Sequence, residues 1–232
     1  MDSNIDLFWS FRSPYSYLAV PGAIRLEQDF QARIRFRPVL PLAVRDPSFF
    51  SPENVKRAKY IRIDFPRRAE MLGMPHQWPS PDPVVQDMKT YKIAEEQPYI
   101  FRLTYLGVEA ERRGKGIAFA REVSSLIMGG TRDWHLGSHL AQAAQRAGLD
   151  LALMDATIAD PASHRAAVDE SHEALAKSGH WGVPTFVFDG RPMRCRIGDR
   201  RVHGREVEPC PLRCIREMAA EMPVTRAAVN YS

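Results

Sequence analysis

Residues 8–19, FWSFRSPYSYLA, contain the change of pattern that decides the fold. Residues 5–11 alternate in the manner of a strand, and beyond Pro14 apolar residues recur at helical spacing. Ser13 and Pro14 stand between the two patterns. Serine is a preferred helix cap, and proline suits the first helical turn. The stretch therefore predicts a strand that is followed at once by a helix over about residues 14–28.

A strand-to-helix junction of this kind is a suitable place for a reactive or anion-binding group. The first turn of a helix has unpaired N–H groups and the positive end of the helix dipole, which suit an anion, a thiolate or a nucleophile. Ser13 is the candidate residue, and its alternative role is that of a helix cap worth about 1 kcal/mol. Because both Ser13 and Ser16 are serines, the tetrad SPYS has no dithiol and cannot carry out disulfide exchange by itself.

The rest of the chain predicts a second strand, a long helical block and a hairpin. Residues 32–40, ARIRFRPVL, alternate as a strand, and strand character returns in residues 182–190, GVPTFVFDG, where Asp189-Gly190 is a hairpin signal. A last helix is expected from about Pro211. Between the strands, helices are expected in residues 54–72, 92–107 with an interruption at Pro98, 117–128, the second half of 131–148, 150–158 and 161–178.

This element order predicts the fold class. The first strand, helix and strand form a parallel βαβ unit, and the hairpin extends the same sheet. The helical block is too long for a loop and must be a packed unit. We predict an α/β protein with a thioredoxin-like fold, βαβ…ββα, and a large all-helical insertion. Residues 1–45 and 179–232 would form the discontinuous thioredoxin-like domain, and residues 46–178 the insertion domain.

The composition limits the function classes. The chain has 232 residues, of which 44% are hydrophobic and 26% charged, as in a globular protein, and no window approaches a membrane span. Its first residues lack the features of a signal peptide, so a cytoplasmic protein is expected. The basic excess in residues 191–216 has no stacking aromatic residues, which argues against a nucleic-acid partner. An anionic small molecule or a solvated basic face explains the net charge of +4 better.

The three cysteines, Cys195, Cys210 and Cys214, all lie in the last 40 residues. An odd, clustered count argues against a disulfide framework. Their spacing, with His203 nearby, fits no common zinc pattern, so no metal is predicted and the cysteines are read as structural or incidental.

Two motifs carry a resemblance to a known family. SPYSYLA at 13–19 stands where thioredoxin-like folds have their Cys-Pro-x-Cys tetrad, and GVPTFVFDG at 182–190 stands where they have a cis-proline loop. The sequence resembles the DsbA-like superfamily, and within it the kappa-class glutathione transferases and the 2-hydroxychromene-2-carboxylate isomerases, from about residue 5 to 190. Supporting matches are FRPVL at 36–40, Tyr60-x-x-x-Asp64 before GMP at 73–75, and LAQAAQRAGLD at 140–150.

The resemblance implies glutathione as cofactor. Ser13 would donate a hydrogen bond to the glutathione thiolate, and a cis bond between Val183 and Pro184 would present unpaired Val183 backbone groups to the cysteinyl part. Asp199 is the candidate for the acidic residue that meets the γ-glutamyl amine. The segment after residue 190 departs from the family in composition.

The substrate residues are predicted less directly. The resemblance to the isomerases makes Asn54 and Lys56 candidates for holding an anionic substrate, with a charged helix face as the alternative. Arg12, beside Ser13, is expected to attract a carboxylate. Trp181, next to the proline loop, is expected to line a pocket for an aromatic substrate.

Together these observations predict a glutathione-dependent isomerase, or kappa-type transferase, for a small electrophile that is aromatic or anionic. A homodimer is expected because the insertion helices must bury amphipathic faces and because the resembling families form dimers. Two other functions remain open. One is a DsbA-like binding or chaperone-type module without catalysis, and the other is a thiol-disulfide oxidoreductase that uses a cysteine outside the tetrad.

Overall fold

The fold is taken from a computed structural model of the chain. It describes residues 4–30, 32–46, 48, 55–87, 89–90, 92–194, 201–202 and 205–206.

A four-stranded mixed sheet is built from β1 (Asn4–Trp9), β2 (Arg33–Pro38), β3 (Thr185–Phe188) and β4 (Arg191–Arg194), in the order β2-β1-β3-β4. Strand β1 pairs parallel to β2 and antiparallel to β3, and β3 pairs antiparallel to β4. The predicted βαβ unit and hairpin are therefore confirmed. Two short strands, β5 (Arg201–Val202) and β6 (Arg205–Glu206), form a separate antiparallel pair.

The helices lie between these strands. Helix α1 (Pro14–Phe30) is the next element after β1, as predicted, and buries Tyr17, Leu18 and Leu26, while Pro21 faces outward. The bounds are α1 (Pro14–Phe30), α2 (Leu42–Arg45), α3 (Val55–Met71), α4 (Ile100–Arg112), α5 (Gly116–Met128), α6 (His139–Arg146), α7 (Leu151–Ile158) and α8 (Ala162–Lys177).

The predicted helix over residues 92–107 is wrong at both ends. Residues 92–99 are not helical, because Pro98 disfavours a helical conformation of the residue before it and the Lys92 and Ala94 backbones pair with residues 85–87. Helix α4 begins at Ile100 and continues past Gly107 to Arg112. Gly107 therefore does not end the helix.

The turn between β3 and β4 has the backbone that the sequence predicts. Asp189 and Gly190 have φ angles of 49° and 72°. Two successive positive φ angles are typical of the type I′ turn that joins two-residue hairpins.

The largest buried cluster extends through the sheet and the helical block. It contains Leu7 of β1, Phe36 of β2, Phe119 of α5 and Leu140 of α6. The division into a thioredoxin-like domain and an insertion domain stays a prediction. Among the described residues, no helix is long and apolar enough to cross a lipid bilayer.

Candidate functional site

Ser13 caps helix α1 and points its hydroxyl at the proline loop. The Ser13 Oγ accepts a hydrogen bond from the Ser16 N–H, at 3.2 Å, which satisfies one of the free donors of the first turn. The same hydroxyl donates to the carbonyl of Val183, 170 positions away in sequence, at 3.2 Å. The junction predicted from the SPYS motif thus meets the loop predicted from the GVPT motif.

The Val183–Pro184 bond is cis, as predicted. The expectation that the Val183 carbonyl is unpaired is wrong, because the Ser13 hydroxyl donates to it. The reason is energetic: a half-buried carbonyl left without a donor costs free energy, and the hydroxyl is within hydrogen-bond distance. Any other acceptor of the Ser13 proton must therefore displace this carbonyl.

The segment before Pro184 is held from two sides. The Gly182 N–H donates to Nδ1 of His180 at 3.1 Å, and the Thr185 hydroxyl donates to the Gly182 carbonyl at 2.7 Å. On the other side, Arg45 of α2 donates to the carbonyl of Trp181 at 3.0 Å. The peptide groups that face Ser13 therefore belong to a fixed loop.

Trp181 lies at the edge of this loop. Its ring stacks on the ring of His180, with the centroids 5.8 Å apart and the planes 8° from parallel, and 49% of the residue is exposed. Its predicted role in substrate binding stays a prediction.

Arg12 has a partner that sequence reasoning did not foresee. Its Nε and Nη2 atoms donate to the two carboxylate oxygens of Asp82, at 2.9 and 3.2 Å, and Nη2 also donates to Gln86 at 3.1 Å. The fork predicted to attract a substrate carboxylate already binds a carboxylate of the chain itself.

Tyr15, two residues after Ser13, belongs to a hydrogen-bonded cluster that sequence reasoning did not identify. The Tyr15 hydroxyl donates to Asp64 of α3 at 2.8 Å, and Asp64 also accepts from Tyr60, at 3.3 Å, and from Arg68. Burial, together with the bond to Asp64, raises the pKa of Tyr15 well above its usual value, so the phenol stays neutral. The signal was the spacing of Tyr60, Asp64 and Arg68, which puts all three on one side of a helix.

Of the remaining predicted site residues, Lys56 alone belongs to the described part of the chain. Lys56 is exposed in the first turn of α3. Asn54, Asp199, the three cysteines Cys195, Cys210 and Cys214, and the predicted helix from Pro211 lie outside the described residues. In the part of the chain that is described, no three His, Asp or Glu side chains are grouped to hold a metal ion.

Comparison with known families agrees with this geometry. Residues 4–205 match the model of the DSBA-like thioredoxin domain. The chain belongs to this family. The family match covers both the α1 junction and the cis-proline loop of this DSBA-like protein.

Its relatives include an isomerase. The 2-hydroxychromene-2-carboxylate isomerase of Pseudomonas putida is 22% identical over 188 residues, which cover 79% of this chain and 84% of that protein. A solved structure of 2-hydroxychromene-2-carboxylate isomerase has a TM-score of 0.61 at 21% identity and covers 82% of this chain and 87% of its own. The cytosolic disulfide reductase DsbM from Pseudomonas aeruginosa, solved with GSH, has a TM-score of 0.56 at 15% identity, with 94% and 98% covered.

These comparisons confirm the resemblance to the DsbA-like superfamily and to the isomerases within it. At identities of 21% and 15%, the two solved structures show that this chain shares their fold and nothing further. The resemblance to kappa-class transferases stays a prediction.

Proposed function

We propose that this DSBA-like protein is a glutathione-dependent isomerase or transferase that acts on a small electrophile, aromatic or anionic. The observation that carries the proposal is the position of the Ser13 hydroxyl at the start of α1. Its oxygen lies 3.2 Å from the carbonyl oxygen of Val183 in the cis-proline loop. The named activity of the Pseudomonas putida relative and the GSH in the DsbM structure support the same reading.

The Ser13 hydroxyl and the Val183 carbonyl are the groups that would hold the cysteinyl part of glutathione. Bound glutathione would supply a thiolate that adds to an electrophilic carbon and then leaves, in an isomerisation, or stays, in a conjugation. Ser13 would donate its proton to the sulfur in place of the Val183 carbonyl. The freed carbonyl would then accept a peptide N–H, as in the addition of a short strand. The Ser13 bond and the dipole of α1 both favour the anion and lower the thiol pKa.

The cellular setting is part of the proposal. A cytoplasmic location suits the function because the cytosol keeps glutathione reduced. A homodimer is proposed because the families that the sequence resembles form dimers. Sedimentation at micromolar concentration should give twice the chain mass of 26.3 kDa, and a monomer mass would contradict the dimer.

Replacing Ser13 tests the proposed function. In Ser13→Ala the thiolate loses a hydrogen bond to a charged group, which is worth roughly 1.5–3 kcal/mol. This loss would raise the pKa of the bound thiol by about one to two pH units. Binding of S-methylglutathione, which has no thiolate, should hardly change, since docking rests on the Val183 backbone. Titration of thiolate absorbance of bound glutathione in both proteins measures the difference.

The control for this test is another helix cap. Ser13→Ala also removes a cap, and so does Asp150→Ala, because the Asp150 carboxylate accepts the N–H groups of Ala152 and Leu153 at the start of α7. Each change should cost about 1 kcal/mol of stability, but only Ser13→Ala should move the thiol pKa. Equal thiol pKa values in wild type and Ser13→Ala would mean that Ser13 is a cap alone.

Replacement of the cysteines separates this function from the oxidoreductase alternative. A variant with Cys195, Cys210 and Cys214 all changed to serine should keep glutathione-dependent turnover, because neither Ser13 nor Val183 acts through a protein thiol. Loss of turnover in that variant, with disulfide reduction present in the wild type, would favour the oxidoreductase. Wild-type protein that binds no glutathione would favour the non-catalytic binding module.

A further inference from the structure

We propose that Arg45 binds a carboxylate at the candidate site: its guanidinium is held against the cis-proline loop and presents one edge to the carboxylate of the electrophile or of the thiol. The inference deepens the proposed function and rests on it for the reaction in which that carboxylate takes part. The binding itself requires only Arg45 and the loop, and it can be measured without any reaction.

Hydrogen bonds place Arg45 at the loop that Ser13 faces. Arg45 is the last residue of α2, and its Nη2 donates to the Trp181 carbonyl at 3.0 Å. The Val183 carbonyl, two residues further along the same loop, accepts from the Ser13 hydroxyl at 3.2 Å. Two residues of chain span at most about 7 Å, so Arg45 and Ser13 bind to one short segment of backbone.

The guanidinium of Arg45 has two edges that can donate pairs of hydrogen bonds. Nε donates to the Leu40 carbonyl at 2.7 Å and Nη2 donates to the Trp181 carbonyl, so the edge formed by these two atoms is occupied. The other edge consists of Nη1 and the second N–H of Nη2, and among the described residues no group accepts a hydrogen bond from it. Two parallel N–H groups in a fixed plane match the two oxygens of a carboxylate.

The charge of Arg45 is not balanced by an ion pair within the described ranges of the chain, because its two acceptors are uncharged carbonyls. Burial lowers the pKa of Arg45, and the charge of Asp46 opposes this effect. The Asp46 carboxylate itself accepts a hydrogen bond from Ser48. A cation that has lost part of its hydration, and that has no bonded anion, gains free energy when a carboxylate binds to it.

Trp181 and Arg12 narrow the class of ligand. The Trp181 ring stacks on His180 and the residue is 49% exposed, so an aromatic surface borders the carbonyl that Arg45 binds. The fork of Arg12 already binds the carboxylate of Asp82, which leaves Arg45 as the better site for an acid from solution. An aromatic carboxylate has one group for the Trp181 ring and one for the Arg45 edge.

The first test uses the carboxylate of a small aromatic ring, in the absence of glutathione. Benzoate and benzamide, which differ in charge but little in shape, are titrated into isotope-labelled protein. NMR follows the Gly182 N–H, which belongs to the same peptide group as the Trp181 carbonyl. Wild type should bind benzoate about tenfold more tightly than benzamide. Arg45→Gln keeps an amide donor for one carbonyl but removes the charge, so it should bind the two compounds equally.

The second test asks whether the thiol supplies the carboxylate. S-methylglutathione and its ethyl ester at the glycyl carboxyl are titrated in the same way, and the ratio of their affinities cancels any general loosening of the loop. A preference of about tenfold for the free acid that disappears in Arg45→Gln would assign the edge to the thiol, and a preference confined to benzoate would assign it to the electrophile. If neither thioether binds, the proposed function is contradicted, while the benzoate titration still decides the role of Arg45.

Two further variants control for overall charge and for folding. Arg112→Gln removes another guanidinium that donates to a backbone carbonyl, that of Ser163 at 3.1 Å, and it should keep the wild-type preference. Arg45→Lys retains the charge without the planar edge and serves if Arg45→Gln does not fold; its preference should fall to about threefold. The proposal is overturned if wild type shows no preference for the free acid in either titration, or if the Arg45 variants keep the wild-type preference.

Discussion

The hydroxyl of Ser13 uses its donor and its acceptor capacity at once. It accepts from the Ser16 N–H and donates to the Val183 carbonyl. The sequence presents the helix cap and the thiolate donor as alternatives, yet the two are compatible, because a hydroxyl has one proton and two lone pairs. Only the proton needs a new acceptor when a sulfur binds, and the cap is kept.

His172 makes the stability of the protein depend on pH. Its Nε2 accepts the N–H of Leu40 at 3.0 Å, which requires a neutral ring. Burial, and then the charge of Arg45, lower the pKa of His172 from 6.5 to about 4, and Asp169 opposes them. The unfolded chain therefore binds the proton more readily, and stability is lost as pH falls from 6.5 through about 4, by about 2–3 kcal/mol.

Urea unfolding at several pH values between 4 and 7 measures this loss. His172→Gln provides an uncharged oxygen for the Leu40 N–H and has no titrating group. The variant should therefore lose less stability than wild type over the same pH range. Parallel pH profiles in the two proteins would show that His172 does not titrate on unfolding.

At the scale of elements, the sequence predicts correctly the features that depend on a few neighbouring residues. Ser13-Pro14 begins α1 and Asp189-Gly190 makes the hairpin turn, because caps and turns depend on the φ preferences and side chains of the residues themselves. The same local reasoning failed for residues 92–99. Their polar pattern is compatible with a helix, but their backbone pairs with residues 85–87.

The sequence predicts which two motifs form the candidate site, but it does not predict the partners of the charged and polar side chains around it. The two motifs that meet at Ser13 and Val183 could be found in the sequence. The partner of Arg12 could not, since Asp82 is 70 positions away in a proline-rich loop whose path depends on tertiary contacts. The spacing of Tyr60, Asp64 and Arg68 indicates a shared helix face, but the link from Tyr15 to Asp64, 49 positions away, depends on how α3 packs against α1.

Gly107 allows α4 to lie close to the sheet. A Cβ at this position would be 2.8 Å from a ring carbon of Phe11 and 3.0 Å from Cγ of Pro38. The Phe11 ring is buried and packs on Phe36 and Phe119, so it has little room to move. Gly107→Ala should gain about 1 kcal/mol from helix propensity but lose more to overpacking. We expect the free energy of unfolding, measured by urea titration, to fall by about 1–2 kcal/mol.

A double-mutant cycle checks the cause of that loss. Phe11→Leu replaces the ring that a Cβ at residue 107 would contact with a shorter aliphatic side chain. Gly107→Ala should then cost less in the Phe11→Leu background than in wild type. An equal cost in both backgrounds would show that the contact with Phe11 is not the reason for the glycine.

At the scale of the whole molecule, the sheet and the helical block share one buried cluster. Trp9 of β1 and Trp134, which precedes α6, are both members, and each is 1% exposed. Neither part can lose its packing without exposing apolar side chains of the other. Cores that are continuous in this way unfold as one cooperative unit.

The two buried tryptophans can report whether the chain unfolds in one step. With fluorotryptophan incorporated throughout, the Trp9 resonance follows the sheet and the Trp134 resonance follows the helical block, and each is assigned by a single Trp→Phe substitution. Because the two side chains belong to one cluster, we expect both resonances to change with the same urea midpoint and the same slope. If Trp134 lost its folded signal at a lower urea concentration than Trp9, residues 46–178 would form a separate folding unit, and the shared cluster would be too weak to couple it to the sheet.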